Sequence, residues 1–336
     1  MINNKTILVT GGTGSFGSIF IEYLLKNFNP KKIMVFSRDE QKQFLMEKKL
    51  QKYRNKLRYL VGDVRDLQRL EFATKNIDIL IHTAAMKHVL IGEYNPFEVV
   101  KTNIMGAQNV IDACLKNNVK KVVALSTDKA SSPVNIYGAS KLTSDKLFIA
   151  ANNYAGKNKN QFSVVRYGNV LGSKGSILPL FLKGAENNLI TITDKRMTRF
   201  NITLKESVQL VVKVLNTMTG GEIFVPKIPS FKVIDLAKAI SNTAKIKFIG
   251  IKPGEKLHEE LISLHESKNT IEYRNYFVIA SSSELFYWNK KNYMKRFGGK
   301  NCKDGFSYDS GNNKKKLTIK NLKNIIDKES KKLSLK

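Results

Sequence analysis

Thr10-Gly11-Gly12-Thr13-Gly14-Ser15-Phe16-Gly17 follows the apolar run Ile7-Leu8-Val9 and leads into a helical pattern, Ile19-Phe20 with Tyr23-Leu24 and Phe28. A strand, a glycine-rich turn and a helix in that order make a dinucleotide-binding unit. Gly11 serves the tight turn, Gly14 the close approach of a pyrophosphate, and Gly17 the packing of helix on strand. The N–H groups of the helix's first turn face the anion. Thr13, Ser15 and Phe16 belong to the same turn and count with the glycines as cofactor-binding residues.

Further apolar, mostly β-branched runs follow: Ile33 to Phe36, Tyr59-Leu60-Val61, Ile79-Leu80-Ile81, Val122 to Leu125 and Val164-Val165. Their alternation with amphipathic helical segments predicts an α/β fold, a Rossmann-type doubly wound parallel sheet. Continuous rather than alternating hydrophobicity fits strands covered on both faces. From about Leu171 the loops lengthen and Pro179, Pro226, Pro229 and Pro253 break the pattern, which predicts a smaller C-terminal substrate lobe. The expected organisation is a Rossmann domain over 1–170, with 200–225 returning to it. The lobe takes 171–199 and 226–290, and 291–336 forms a C-terminal extension. The stretch Lys300 to Lys316 reads as solvated.

The 336 residues carry 57 Lys and Arg against 28 Asp and Glu, a formal net charge of +29, and 42% hydrophobic residues, enough for a packed core. Such a charge attracts nucleic acid, anionic membrane or phosphorylated small molecules. Only Tyr287 to Phe297 interleaves aromatics with Lys290, Lys291, Lys295 and Arg296 as a single-strand-binding surface does. It is short and isolated, so no nucleic-acid partner is expected. Lysine-rich solvated faces and a phosphate-bearing substrate account for the charge. Cys114 and Cys302 are too few and too far apart for a disulfide framework or zinc motif, and no metal is expected. With no room for a signal peptide before the first strand and no long apolar span, a cytoplasmic protein without membrane contact is expected.

The end of the second strand selects the cofactor. About 20 residues beyond Gly17, where an NAD enzyme places a carboxylate for the ribose 2′-hydroxyl, stand Ser37 and Arg38. A hydroxyl and a guanidinium suit a 2′-phosphate, so NADP is expected; Asp39 is close enough to compete. Asp63 and Val64, ending the third strand, are assigned to the adenine. Ala84 and Ala85, ending the fourth, let the backbone run beside the cofactor. Lys87 lies over the presumed site, and His88 reads as a loop residue without chemistry.

Tyr137 and Lys141 stand at i and i+4 on one helix face. A neighbouring ammonium favours phenolate over a phenol of pKa about 10, which makes Tyr137 a usable base.

The glycine turn with Tyr137…Lys141 resembles the extended short-chain dehydrogenase/reductase family. Longer blocks are similar to its inverting UDP-N-acetylglucosamine 4,6-dehydratases, which start pseudaminic acid synthesis. These blocks are Gly11 to Gly17, Ser37 to Glu40, Gly62 to Asp66, Glu93 to Pro96, Leu125 to Lys141, Arg166 to Ser176, Asp194 to Phe200, Gly221 to Pro229 and Lys252 to Glu259. In family order, they run through about four fifths of the chain.

The resemblance implies a redox-neutral cycle. Tyr137 takes the proton of the sugar 4-hydroxyl while hydride leaves C4 for NADP. The 4-ketone acidifies the C5 proton; Lys129 removes it as base and Asp128 protonates the departing 6-hydroxyl as acid, with Thr127 beside them. Both roles need pKa values moved toward neutrality. Retaining relatives have Glu where Lys129 stands, and simple 4-epimerases lack the acid–base pair. Substrate contacts are implied for Lys87, Asn169, Val170, Arg196, Arg199, Lys252 and Glu255. Relatives carry Arg where Lys174 and Lys252 stand, and Trp in place of Asn201. A homo-oligomer, with a hexamer among its forms, is also implied. The alternatives are a retaining dehydratase or 4-epimerase and, outside enzymes, an NADP-sensing or RNA-binding Rossmann protein.

Overall fold

A computed structural model describes residues 2–155, 160–172, 176–281 and 290–333. Lys174 and the Tyr287 to Asn289 part of the basic aromatic stretch lie outside the described residues. The strands are β1 (Thr6–Thr10), β2 (Lys32–Ser37), β3 (Leu57–Val61), β4 (Ile79–His82), β5 (Lys121–Thr127), β6 (Gln161–Tyr167), β7 (Asn169–Val170), β8 (Leu189–Ile192) and β9 (Thr198–Ile202). They continue as β10 (Ile223–Pro226), β11 (Ser230–Lys232), β12 (Lys245–Phe248), β13 (Glu260–Ile262), β14 (Thr270–Glu272), β15 (Tyr276–Ile279), β16 (Lys300–Asn301) and β17 (Tyr308–Asp309). The helices used below are α1 (Ser15–Asn27), α2 (Glu40–Lys49), α3 (Ile136–Tyr154), α4 (Val233–Ile240), α5 (Lys290–Phe297) and α6 (Ile319–Leu333).

One ten-stranded sheet runs β16-β14-β15-β10-β6-β5-β4-β1-β2-β3. Its seven strands from β10 to β3 pair in parallel, and β15, β14 and β16 add an antiparallel edge. All six strand runs legible in the sequence are in it, and the doubly wound α/β fold stands. The chain reverses its direction of growth between β1 and β4, which opens a crevice at the carboxyl ends of the strands. β1 shows why the sheet is central: Ile7, Leu8 and Val9 are wholly buried between β2 and β4.

A second apolar cluster joins Leu178, Ile190, Phe231 and Leu236 to Leu322 and Ile326, so α6 packs its apolar face on α4. The stretch Lys300 to Lys316 is not a solvated tail. It supplies β16 and β17, buries Tyr308 and Ser310, and bridges Ser230 through Lys316. Its lysines hid this, because only a few residues face inward and they make contacts far away in sequence. In α5, Tyr293 is buried and its ring lies tilted against Phe297 with centroids 4.8 Å apart, so those rings serve packing rather than display.

Candidate active site

An open cleft of about 840 Å³ runs along the carboxyl ends of the strands. At one end lie Ser37, Arg38, Asp63 and Val64; the glycine turn, Ala84, Ala85 and Lys87 follow; Thr127, Asp128, Lys129, Tyr137, Lys141, Asn169 and Val170 close the other. Gly17 is buried beneath the turn rather than lining the cleft. Gly11 holds φ +63, and a Cβ on it would meet Thr83 Oγ1 at 2.8 Å and Ala84 N at 2.9 Å. Only glycine lets the turn lie against the end of β4. Gly14 is the N-cap of α1 and makes no side-chain cap, and the positive end of the helix faces the cleft where an anion would bind. These residues fit a dinucleotide.

At the β2 end Asp39 caps α2, accepting from Lys42 N at 2.9 Å, and its carboxylate also pairs with Lys42 Nζ. Arg38 is 60% exposed at its side chain, 3.6 Å from Asp63. The Ser37 hydroxyl accepts from Gln43 Nε2 at 3.0 Å. Burial acts to raise the Asp63 pKa, but bonds from Arg65 hold the carboxyl below its ordinary value. Lys87 is exposed along the cleft, and partial desolvation of its ammonium lowers its pKa.

β5 delivers the candidate reacting groups. Thr127 ends the strand and opens a short 3₁₀ turn, so Asp128 points inward and is 1% exposed. Thr127 Oγ1 donates to Asp128 Oδ1 at 3.0 Å, and Lys129 Nζ reaches the same oxygen at 3.1 Å. Asp128 Oδ2 is buried without a partner. Burial raises the Asp128 pKa against the pull of Lys129, as the acid role requires.

Lys129 goes the other way. Burial would lower its pKa, but the carboxylates of Asp128 and Glu259 outweigh that and hold it above the ordinary lysine value. The expected move toward neutrality is absent, because Asp128 Oδ1 and Glu259 Oε1 stand 3.1 and 3.0 Å from Lys129 Nζ. Tyr137 also differs from expectation. Burial of its hydroxyl pushes the phenol up to about 12, and the opposing cation is Lys129 rather than Lys141. Lys141 is itself buried, and its pKa is lowered by that burial against the pull of Asp145. Asp145 accepts from Ser126 at 2.7 Å and pairs with the wholly buried Arg166 at 3.3 Å, which fixes the middle of α3.

Asn135 caps α3, accepting from Gly138 N at 2.7 Å, while its amide donates to Gly254 O at 2.8 Å. That bond ties the Lys252 to Glu255 turn to the catalytic helix. Lys252 and Glu255 close their turn through Glu255 N to Lys252 O at 3.1 Å but do not line the cleft. Nor do Arg196 and Arg199. Arg196 is exposed and paired with Asp194 at 2.8 Å, whereas Arg199 turns inward to Thr198 O, Leu257 O and Glu259. Asn169 Oδ1 is buried without a partner at the cleft wall, and Asn201 is its register partner in β9.

Two residues at the site were not singled out in the sequence. Asn103 Oδ1 accepts from Met86 N at 2.8 Å and its amide donates to Ser140 Oγ at 3.0 Å, from a π-wound turn over Val100–Met105. Glu259 is 2% exposed. Its one sequence signal was its place at the end of the Lys252 to Glu259 block.

The family described as polysaccharide biosynthesis protein matches residues 7–281. The chain belongs to this family. The family falls within the extended short-chain dehydrogenase/reductases, as the glycine turn and Tyr137…Lys141 implied. Among curated relatives, an inverting UDP-N-acetylglucosamine 4,6-dehydratase of Campylobacter jejuni (strain 81-176) is 52% identical over 331 residues, spanning 97% of this chain and 98% of that one. A UDP-glucose 4-epimerase of Rickettsia bellii (strain OSU 85-389) is 39% identical over 335 residues, 97% of this chain and 96% of that one. Among solved structures, the X-ray structure of Pen from Bacillus thuringiensis is 40% identical with a TM-score of 0.87, covering 98% and 99% of the two chains. This member of the family thus matches dehydratase and epimerase relatives along its whole length. Among its described residues no helix is long and apolar enough to cross a membrane.

Proposed function

We propose that this chain is an NADP-dependent, inverting UDP-N-acetylglucosamine 4,6-dehydratase. On this reading its product is UDP-2-acetamido-2,6-dideoxy-β-L-arabino-hex-4-ulose, formed in the cytoplasm by a homo-oligomer as the first step of pseudaminic acid synthesis. The observation that carries the reading is Asp128 meeting Lys129 at 3.1 Å beside Tyr137, in a chain 52% identical to an inverting dehydratase. A 4-epimerase has no work for that pair.

NADP, when bound, supplies the hydride acceptor at C4 and the donor at C6. Arg38 and Lys42 present cations at the β2 end while Asp39 is engaged as a helix cap, which favours a 2′-phosphate over a bare ribose. Tyr137 takes the 4-hydroxyl proton, with the Lys129 charge lowering the cost of the phenolate. Asp128, whose neutral form burial favours, gives its proton to the departing 6-oxygen, and Lys129 takes the proton of C5. One hydrogen from C5 and one hydroxyl from C6 leave as water. Asn169 supplies an unmatched acceptor to the sugar nucleotide.

Incubation with UDP-N-acetylglucosamine in deuterated water, read by NMR, tests the proposal. The expected product has a methyl C6, a 4-ketone, deuterium at C5 and inverted C5 configuration. A retained configuration or an intact 6-hydroxyl overturns it.

A further inference from the structure

Lys129 is held from two sides by different parts of the chain. Asp128 is its sequence neighbour, but Glu259 comes from a segment 130 residues away, just before β13. Glu259 is the more elaborately supported. Its Oε1 sits 3.0 Å from Lys129 Nζ and 3.6 Å from Arg199 Nε. Its backbone is gripped at both ends by Ser310: Glu259 N donates to Ser310 Oγ at 2.9 Å, and Ser310 N donates to Glu259 O at 2.8 Å. Ser310 Oγ in turn meets Thr198 Oγ1 at 2.7 Å. A carboxylate buried this deeply is retained at a cost unless its charge is matched, and Lys129 with Arg199 provides the match.

We propose that Glu259 is a positioning residue for the dehydration, fixing Lys129 Nζ over the C5 proton and stabilising the ammonium that forms as Lys129 accepts it. The inference rests on the dehydratase reading above. In the elimination, Asp128 passes from acid to carboxylate while Lys129 passes from amine to ammonium. The state before it differs from the resting ion pair only by one proton moved from Lys129 Nζ to Asp128 Oδ1, a separation of 3.1 Å. Asp128 can accept it because burial favours its neutral form. Glu259 remains a carboxylate throughout: burial acts to raise its pKa, but Lys129 and Arg199 hold it down. Measured from that activated state, a fixed anion beside the atom that gains positive charge lowers the barrier to C5 proton transfer without reorganising. The arrangement has the logic of an orienting carboxylate behind a base.

The charged and titratable groups facing Lys129 are Asp128, Glu259, Arg199, Lys256 and the Tyr137 phenol. Among them Asp128 and Glu259 raise the Lys129 pKa, and Asp128 remains when Glu259 is replaced.

Glu259→Gln keeps the shape and removes the charge. Lysine labelled with ¹³C at Cε, with the Lys129 signal assigned by its loss in Lys129→Arg, reads the ammonium directly in the NADP-loaded protein without sugar. The Lys129 midpoint is expected to fall by about one pH unit or more. With sugar, kcat is expected to fall about a hundredfold while KM and NADP affinity hold. An unmoved Lys129 midpoint overturns the inference, and so does a moved midpoint with wild-type kcat. If the Gln variant does not fold, Glu259→Asp keeps the charge but stops one methylene short of Lys129. Lower kcat at unchanged KM then supports the proposal, and wild-type kcat overturns it. A wild-type protein inert toward the sugar sinks the dehydratase reading alone, because the titration needs no turnover.

Discussion

Ser310 clasps Glu259 through both of its backbone groups, at 2.9 and 2.8 Å, across 51 positions of sequence. The clasp makes a lysine-rich stretch near the C-terminus part of the support of the catalytic group. Ser310→Ala removes the acceptor of Glu259 N–H and one partner of the Thr198 hydroxyl. A loss of about 1–3 kcal/mol in stability is expected, measured by denaturant unfolding, with a larger fall in kcat than in NADP affinity.

Asp128→Asn preserves volume but withdraws the acid. Formation of the 6-deoxy product is expected to drop by about 10²- to 10⁴-fold, while NADP affinity measured by calorimetry stays at the wild-type value. A D128N enzyme that still dehydrates at near wild-type rate would remove Asp128 from the mechanism.

Gly138 lies against Lys129. A Cβ placed on it would collide with the Lys129 carbonyl and stand 3.1 Å from Pro133 Cβ. Gly138→Ala must therefore push the 3₁₀ turn away from α3. The expected cost is about 1–3 kcal/mol, seen as a lower Tm, together with loss of turnover.

On the NADP reading, Arg38 discriminates between the two cofactors. Arg38→Ala should weaken NADP about tenfold or more, the scale of a lost hydrogen bond to a charged group, and leave NAD affinity nearly unchanged. Equal losses for both cofactors would place the 2′-phosphate elsewhere.

His82 sets an acid limit on stability. It is buried, hydrogen-bonded to Thr10 Oγ1 at 2.9 Å, and burial, aided by the Lys141 charge, lowers its pKa to about 3. Below pH about 6.5 the unfolded chain takes up a proton at His82 that the native state refuses. Stability is therefore full above that pH and falls toward pH 3, by up to about 1.4 kcal/mol per unit. Urea unfolding of His82→Gln should show a shallower fall across this window than wild type.

How much was legible differs by element. The glycine turn and the parallel strands were readable because their chemistry is local: β-branched runs, a turn that needs positive φ, and a helix that starts at once. Asp128, Lys129, Tyr137 and Lys141 were readable for the same reason, since one strand end and one helix turn carry all four. Arg199 was read as a substrate contact, yet its guanidinium is committed to Glu259 and two carbonyls. Nothing local distinguishes Glu259 from Glu260. The first is buried against Lys129 and Arg199, while the second accepts from Ser131 and Ser132.

From its sequence alone this protein has its sheet, its candidate dinucleotide cradle and its candidate catalytic residue types, because those depend on spacing within about 20 residues. Tertiary structure alone decided their charge states. The charge on Lys129 is held by Asp128 beside it and by a carboxylate 130 positions later, itself clasped by a serine 51 beyond that. Charge interaction falls with distance in space, not in sequence, and only folding sets the first.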